Sequence, residues 1–328
     1  GCYILKIGRQ CMESKHLQVA IASDSNYAKM SSVLLTSLFA NNTEFDHITV
    51  HFLTDHITSQ ALSEIRRHVP EERGELVVHD VSNLHQMLGV EVPPTIAIAA
   101  YSRLFLSSLL SDDVDRVIYM DVDALLTGSL WKLWNMDITG YEVAGILDDV
   151  SLYAKRAVGL KDDDSYINSG FLMMNLSLWR SEGIEKQILN FLLAHHGVVY
   201  HHDQGLINAV CKKKKVLPVN YNMVTNFFVF PYKNFHQVPF YTEQELEDGK
   251  RHPVFIHFTA GVAGRPWMTG CKHPLRQQYW EMMDKAGYDS LRLPPDNRPK
   301  RLKLLAALYY YCRPMYYVVL KLRGAIKE

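Results

Sequence analysis

The chain's first sign of chemistry is 116-RVIYMDVDALL-126, where an apolar, strand-forming run ends in two aspartates one residue apart. Side chains alternate faces along an extended backbone, so Asp121 and Asp123 point one way and Val122 the other. Two carboxylates on one face repel unless a cation sits between them. Hard divalent ions take oxygen ligands from one or two carboxylates plus substrate phosphates, which makes the pair a candidate site for a metal that holds a diphosphate. The plainer reading has Asp121 capping a turn and Asp123 in solvent.

A second stretch strengthens the first. In 257-HFTAGVAGRPW-267 a histidine ends another buried strand and is followed by a glycine-rich turn and an arginine. Imidazole joins two carboxylates more readily on Mn²⁺ than on Mg²⁺. A small-residue loop lets backbone N–H groups approach phosphate oxygens, and Arg265 adds charge-assisted contacts. Taken alone, His257 reads as a buried histidine with satisfied hydrogen bonds.

These residues need a scaffold that brings position 121 to position 257. The stretch 17-LQVAIAS-23 reads as a buried strand, followed by Met30, Val33, Leu34, Ser37 and Leu38 on one helical face. Next come a strand at 48–54, a helix with Leu62, Ile65 and Val69 on one face, a strand at 76–81, a helix around 100–110 and the strand ending at Asp121. That βαβαβαβ order predicts an α/β fold, a mostly parallel sheet with helices on both faces, and ligands bind such sheets outside the carboxyl ends of the strands. Further apolar runs lie at 143–147, 170–176 and 254–258. The long connection carrying 93-PPT-95 has the length of a lid or binding loop. The quartet 212-KKKK-215 reads as a solvated turn.

Composition excludes as much as it suggests. Lys plus Arg equals Asp plus Glu at 35 each among 328 residues, so nothing global points to nucleic acid. The balance is uneven, however: residues 298–328 hold eight cations and one acid, which leaves a tail of +7 on a body of −7. Five scattered cysteines without metal-ligand spacing read as reduced thiols of a cytosolic protein. Residues 1–16 read as a leader or vector-derived segment, 17–285 as the main domain, 286–299, with three prolines, as a linker, and 300–328 as a basic tail. The tail's apolar runs, 304–312 and 314–320, are too short to span a bilayer, which needs about 20 residues. Its cations and five tyrosines suit an anionic headgroup boundary instead; a helix pair packed on the body or an oligomer contact is the alternative.

The motifs 20-AIASDSNY-27, 101-YSR-103, 119-YMDVDALL-126, 166-YINSGFLMMNLSLWR-180, 203-DQGLIN-208 and 257-HFTAGVAGRPW-267 resemble glycosyltransferase family 8, most closely its bacterial lipopolysaccharide galactosyl- and glucosyltransferases. The resemblance covers roughly residues 17–285 and implies a GT-A fold and a retaining, Mn²⁺-dependent transfer from UDP-galactose or UDP-glucose, with Mg²⁺ as the lesser candidate. It also implies a lipid-linked saccharide acceptor and a basic, aromatic tail that holds the enzyme peripherally on the cytoplasmic face of the membrane.

Position by position, the resemblance assigns Asp121, Asp123 and His257 to the metal. It assigns Ala22, Asp24, Asn26, Tyr27, Val122, Gly261 and Arg265 to the nucleotide, and Arg103, Asp148, Asn168, Asp203 and Gln204 to the donor sugar. Asp24 alone reads equally as a helix cap, and Asp149 rivals Asp148. Arg265 stands where the family usually has lysine, in a loop one residue longer than in the closest relatives.

Retention ordinarily calls for a carboxylate nucleophile. The best-placed side chain by resemblance is Gln204, whose neutral amide is weakly basic. The expected course is therefore a same-face displacement in which the leaving phosphate takes the acceptor's proton, with Asp203 as the alternative nucleophile. A metal-dependent phosphoesterase and a non-catalytic sugar-nucleotide-binding domain are the rival classes.

Overall fold

Strand β1 (His16–Ala22) alternates its side chains between two cores: Leu17, Val19 and Ile21 pack on one face of the sheet and Ala20 on the other. The same alternation recurs in β4 (Arg116–Met120), with Ile118 and Met120 opposite Val117 and Tyr119. A sheet buried on both faces needs near-continuous apolar strands, which is the pattern these segments carry. The computed structural model describes residues 15–88 and 101–325. The 93-PPT-95 loop and nearly all of the leader segment lie outside the described residues.

The large sheet has the order β3-β2-β1-β4-β7-β6-β8, with β2 at His47–Thr54, β3 at Gly74–Asp80, β6 at Val143–Leu147, β7 at Ile167–Asn175 and β8 at Lys214–Val216. Neighbours are parallel except at β7, which runs antiparallel to both β4 and β6. That reversal matters for function. A parallel strand would bring its last residues to the carboxyl edge, whereas β7 brings its first, Ile167–Gly170. It also begins three residues before the apolar run predicted at 170.

A second, three-stranded sheet joins β5 (Ala124–Leu126), β10 (Phe255–His257) and β9 (Met223–Val224). The chain passes from β4 to β5 through 121-DVD-123, so the two aspartates sit in the bend where the sheets meet and not in one continuous strand. Val122 still points into the core, as alternation predicted.

Two expectations change at the surface. Lys214 and Lys215 belong to edge strand β8 and not to a turn, and burial pulls the Lys214 ammonium down to a pKa of about 8. The predicted helix near 100–110 is broken into a 3₁₀ turn at Arg103–Phe105 and a helical turn at Leu106–Leu109. The tail forms two helices, Lys300–Tyr311 and Arg313–Ala325, and among the described residues no helix is long and apolar enough to cross a membrane.

Candidate active site

The bend is held from both sides. Asp121 donates its N–H to the Gly170 carbonyl at 2.8 Å, and the Asp123 carbonyl accepts from Phe258 N–H at 2.9 Å, which fixes the two carboxylates against β7 and the end of β10. His257 Nε2 then lies 3.0 Å from Asp123 Oδ1 and 3.7 Å from Asp121 Oδ2. One ligand atom from each of the three residues falls within 4.8 Å of the others. Gly170 forms the floor: a Cβ there would stand 2.3 Å from His257 Cε1 and 2.8 Å from Asp121 Oδ2, so only glycine leaves this space open.

The electrostatics fit a cation. Burial penalises a charged His257, but Asp123 and Asp121 outweigh it and raise the imidazole's proton affinity. Burial likewise opposes ionisation of Asp123, and His257 with Arg265 overrides it to hold the carboxyl below its usual range. Two carboxylates that attract a proton to the ring between them would accept a divalent ion in its place.

Behind this group runs a polar network. Arg103 donates from Nη2 to Asp121 Oδ1 at 2.9 Å, from Nη1 to the Ser169 carbonyl at 2.7 Å, and pairs through Nε with Asp203 Oδ2 at 3.2 Å. Its guanidinium stacks 4.2 Å from the ring centre of Tyr119, whose hydroxyl donates to the same Asp121 oxygen. Burial raises the proton affinity of Asp203 in spite of Arg103. Gln204 is held at both ends, its Oε1 accepting from Ser169 N–H and its Nε2 donating to Asp148 Oδ2, each at 3.0 Å. Asn168 Nδ2 donates to the same Asp148 oxygen, and its Oδ1 accepts from Asn222. Thus Arg103, Asp121, Asn168, Asp148, Asp203 and Gln204, drawn from five chain segments, form one connected wall.

Asp149 is engaged away from the network that holds Asp148. Its Oδ1 accepts from the backbone N–H groups of His236 and Gln237 and pins that loop. Asp24 takes the capping role: Oδ1 accepts from the N–H groups of Asn26 and Tyr27 at 2.9 and 3.2 Å. Tyr27 is drawn into the site nonetheless, because Arg265 Nη1 donates to its hydroxyl at 2.8 Å while Nη2 lies 3.7 Å from Asp123. Ala22 ends β1 at the carboxyl edge, Val122 offers only its backbone, and Gly261 has a left-handed backbone with φ of +54°.

Sequence reasoning missed Tyr119, Ser169 and Asn222. The first two lay in plain view inside 119-YMDVD-123 and 166-YINSG-170, next to acids and amides that needed partners. Asn222 had no local signal, since its partner is 54 residues away.

A mixed α/β sheet with an acid–acid–histidine group at its carboxyl edge is the architecture of the GT-A glycosyltransferases. The profile described as "Glycosyl transferase family 8" matches residues 18–270, and the chain belongs to that family. It is 25% identical over 295 residues to general stress protein A of Bacillus subtilis, covering 86% of this chain and 98% of that one. It is 24% identical to the lipopolysaccharide 1,3-galactosyltransferase of Salmonella typhimurium, covering 82% and 78% of the two chains. The lipopolysaccharide 1,2-glucosyltransferase of Escherichia coli K12 is 26% identical, with 81% and 77% covered. Among solved structures, the galactosyltransferase LgtC, crystallised with donor and acceptor sugar analogues, superposes with a TM-score of 0.68 at 21% identity, covering 82% of this chain and 96% of that one.

Proposed function

We propose that this family 8 hexosyltransferase is a retaining, metal-dependent enzyme that moves galactose or glucose from UDP-hexose to a saccharide acceptor of a growing lipopolysaccharide, lipooligosaccharide or similar surface glycan. The observation that carries this reading is the convergence of Asp121, Asp123 and His257 on one edge of the wall formed by Arg103, Asp203, Gln204 and Asp148. One of the two lipopolysaccharide transferases the chain resembles is a galactosyltransferase and the other a glucosyltransferase, which supports a hexose donor without choosing its epimer.

Asp121 Oδ2, Asp123 and His257 Nε2 would hold Mn²⁺, the ion best matched to a two-carboxylate, one-imidazole set. Such an ion neutralises charge growing on a departing diphosphate. Arg265, anchored on Tyr27 and stacked 5.2 Å from the Trp267 ring centre, stands beside Asp123 to share that charge. Asp148, Asn168 and Gln204 would orient the sugar hydroxyls; their mutual hydrogen bonds fix the rotamers in advance, which lowers the cost of ordering a substrate. Gln204 is already bonded at both ends of its amide, and Asp203 Oδ2 is held by Arg103 and Ser169. This arrangement favours same-face displacement over a glycosyl-enzyme intermediate, with the acceptor's proton passing to the leaving phosphate.

The tail would hold the enzyme peripherally on an anionic, cytoplasmic membrane face. One side of the helix pair packs on the body through Leu305, Tyr309 and Tyr316. The other exposes Leu304, Tyr311, Met315, Val318 and Leu322 alongside Lys300, Arg301 and Lys321, the mixture that suits a headgroup boundary.

The test is incubation with Mn²⁺ and either UDP-galactose or UDP-glucose. Release of UDP supports transfer; release of inorganic phosphate, or of nothing from either donor, would overturn it.

A further inference from the structure

The linker before the tail is fastened to the loop between His257 and Arg265. Arg298 Nη1 donates to the carbonyls of Gly261 and Val262 at 2.8 and 3.2 Å, while Nη2 and Nε pair with Asp296 at 2.9 and 3.1 Å. Both side chains are largely buried, at 12% and 19% exposure. Asp296 is itself tied back, its N–H donating to Thr269 Oγ1, and Thr269 N–H reaches the Pro294 carbonyl. A Cβ on Gly264 would meet the Arg298 guanidinium at 3.1 Å, so the guanidinium packs against Gly264 as well as binding the two carbonyls.

The loop's backbone bonds, Gly264 N–H to the Ala260 carbonyl and Lys272 N–H to the Ala263 carbonyl, leave the Gly261 and Val262 carbonyls to Arg298. Ala260 and Gly261 have φ of +61° and +54°, and Gly264 has +75°. A left-handed alanine persists only where its surroundings over-determine it, at a cost of about 1 kcal/mol or more. Nothing in 259-TAGVAG-264 carries a side chain able to bind its own carbonyls across the turn, apart from Thr259 at its start. The guanidinium fork supplies that from outside.

We propose that Arg298 is a positioning residue for donor binding: by fixing the Gly261 and Val262 carbonyls it sets the backbone that faces the diphosphate. This rests on the reading of 257–265 as the diphosphate loop. Because Lys300 starts the first tail helix and Val262 packs against that helix pair, the loop and the tail share one brace.

The full chain would be compared with Arg298→Ala, Arg298→Lys and Asp296→Asn, measuring the dissociation constant of UDP with Mn²⁺ by calorimetry, kcat and KM for UDP-hexose hydrolysis, and Tm. A displaced loop predicts about tenfold weaker UDP binding and a donor KM raised by a similar factor in Arg298→Ala, with kcat within about threefold. Lysine, which reaches one carbonyl and the carboxylate, should recover most of that loss. A folded Arg298→Ala protein that binds UDP within about twofold of wild type, whatever its Tm, overturns the proposal. If alanine prevents folding, Asp296→Asn decides: unchanged UDP affinity overturns it and a several-fold loss supports it. Arg265→Ala serves as the control, since an unaltered kcat there would bring down the reading of the loop itself.

Discussion

Arg103 occupies one oxygen of Asp121 and leaves the other to His257: Nη2 sits 2.9 Å from Oδ1, while Oδ2 lies 3.7 Å from the imidazole. The carboxylate is thereby split into a half tied to Arg103 and a half that faces His257. Asp123, with Oδ1 on His257 and Oδ2 toward Arg265, has no comparable anchor in the wall.

Asp123→Ala should therefore abolish hexose transfer, a loss of at least about 10³-fold, with little loss of fold. Chelation should do the same reversibly, activity returning with added Mn²⁺. Full turnover in chelator, with metal analysis finding none bound, would refute the metal reading.

Arg265→Ala should lower kcat by about 10²-fold and leave donor KM nearly unchanged, because charge on departing UDP develops in the transition state. Arg265→Lys should keep substantial activity, since a single ammonium can still face the diphosphate, although it gives up the stack on Trp267. Steady-state kinetics of both variants with one donor settle the matter.

How much of this was legible in the chain follows from how local each cause is. Alternation and apolar runs marked the strands, and the residue types at 121, 123 and 257 marked the candidate ligands. The direction of β7 was not legible, because an apolar run carries no arrow; its partners are set by pairing with β4 and β6. Likewise, Asp148 and Asp149 are equivalent until His236 and Gln237, 87 and 88 residues away, claim the second. The proline-rich stretch before the tail looked like a spacer because Arg298's partners at Gly261 and Val262 are invisible to any local pattern.

Acid should destabilise the fold through two buried histidines outside the acid–acid–histidine group, His51 in the sheet and His273 against Phe258. His51 is held down to a pKa of about 4 by burial and by His79, and His273 to about 4 by burial and Arg276. Between pH 6.5 and 4 the unfolded chain binds these protons and the native state does not. Stability is thus fully present above 6.5 and falls as pH drops, by roughly 3 kcal/mol per histidine. Urea midpoints across this range should show the decline, and His51→Gln should remove about half of it.

The tail should bind vesicles containing anionic lipid at low salt, release as salt rises, and ignore neutral vesicles. Replacing Lys300, Arg301 and Lys321 together by glutamate should weaken binding by at least about 10²-fold, at roughly 1 kcal/mol per cation, while UDP release in solution is unaffected. Sedimentation of full-length protein that is indifferent to lipid charge would sink the membrane reading. Point changes are cleaner than truncation after Asp296, which would also remove Arg298 and the Tyr309 hydroxyl bond to the Val229 carbonyl.

The contact between Tyr27 and Arg265 spans 238 residues of chain. A site closed by its earliest and latest segments cannot form during the first stages of synthesis, and entropy makes such distant contacts slow to find. Donor binding should be the last property to return on refolding from urea, lagging the recovery of helical circular dichroism. A stalled ribosome bearing most of the domain would therefore carry a folded sheet with no competence to engage a sugar nucleotide.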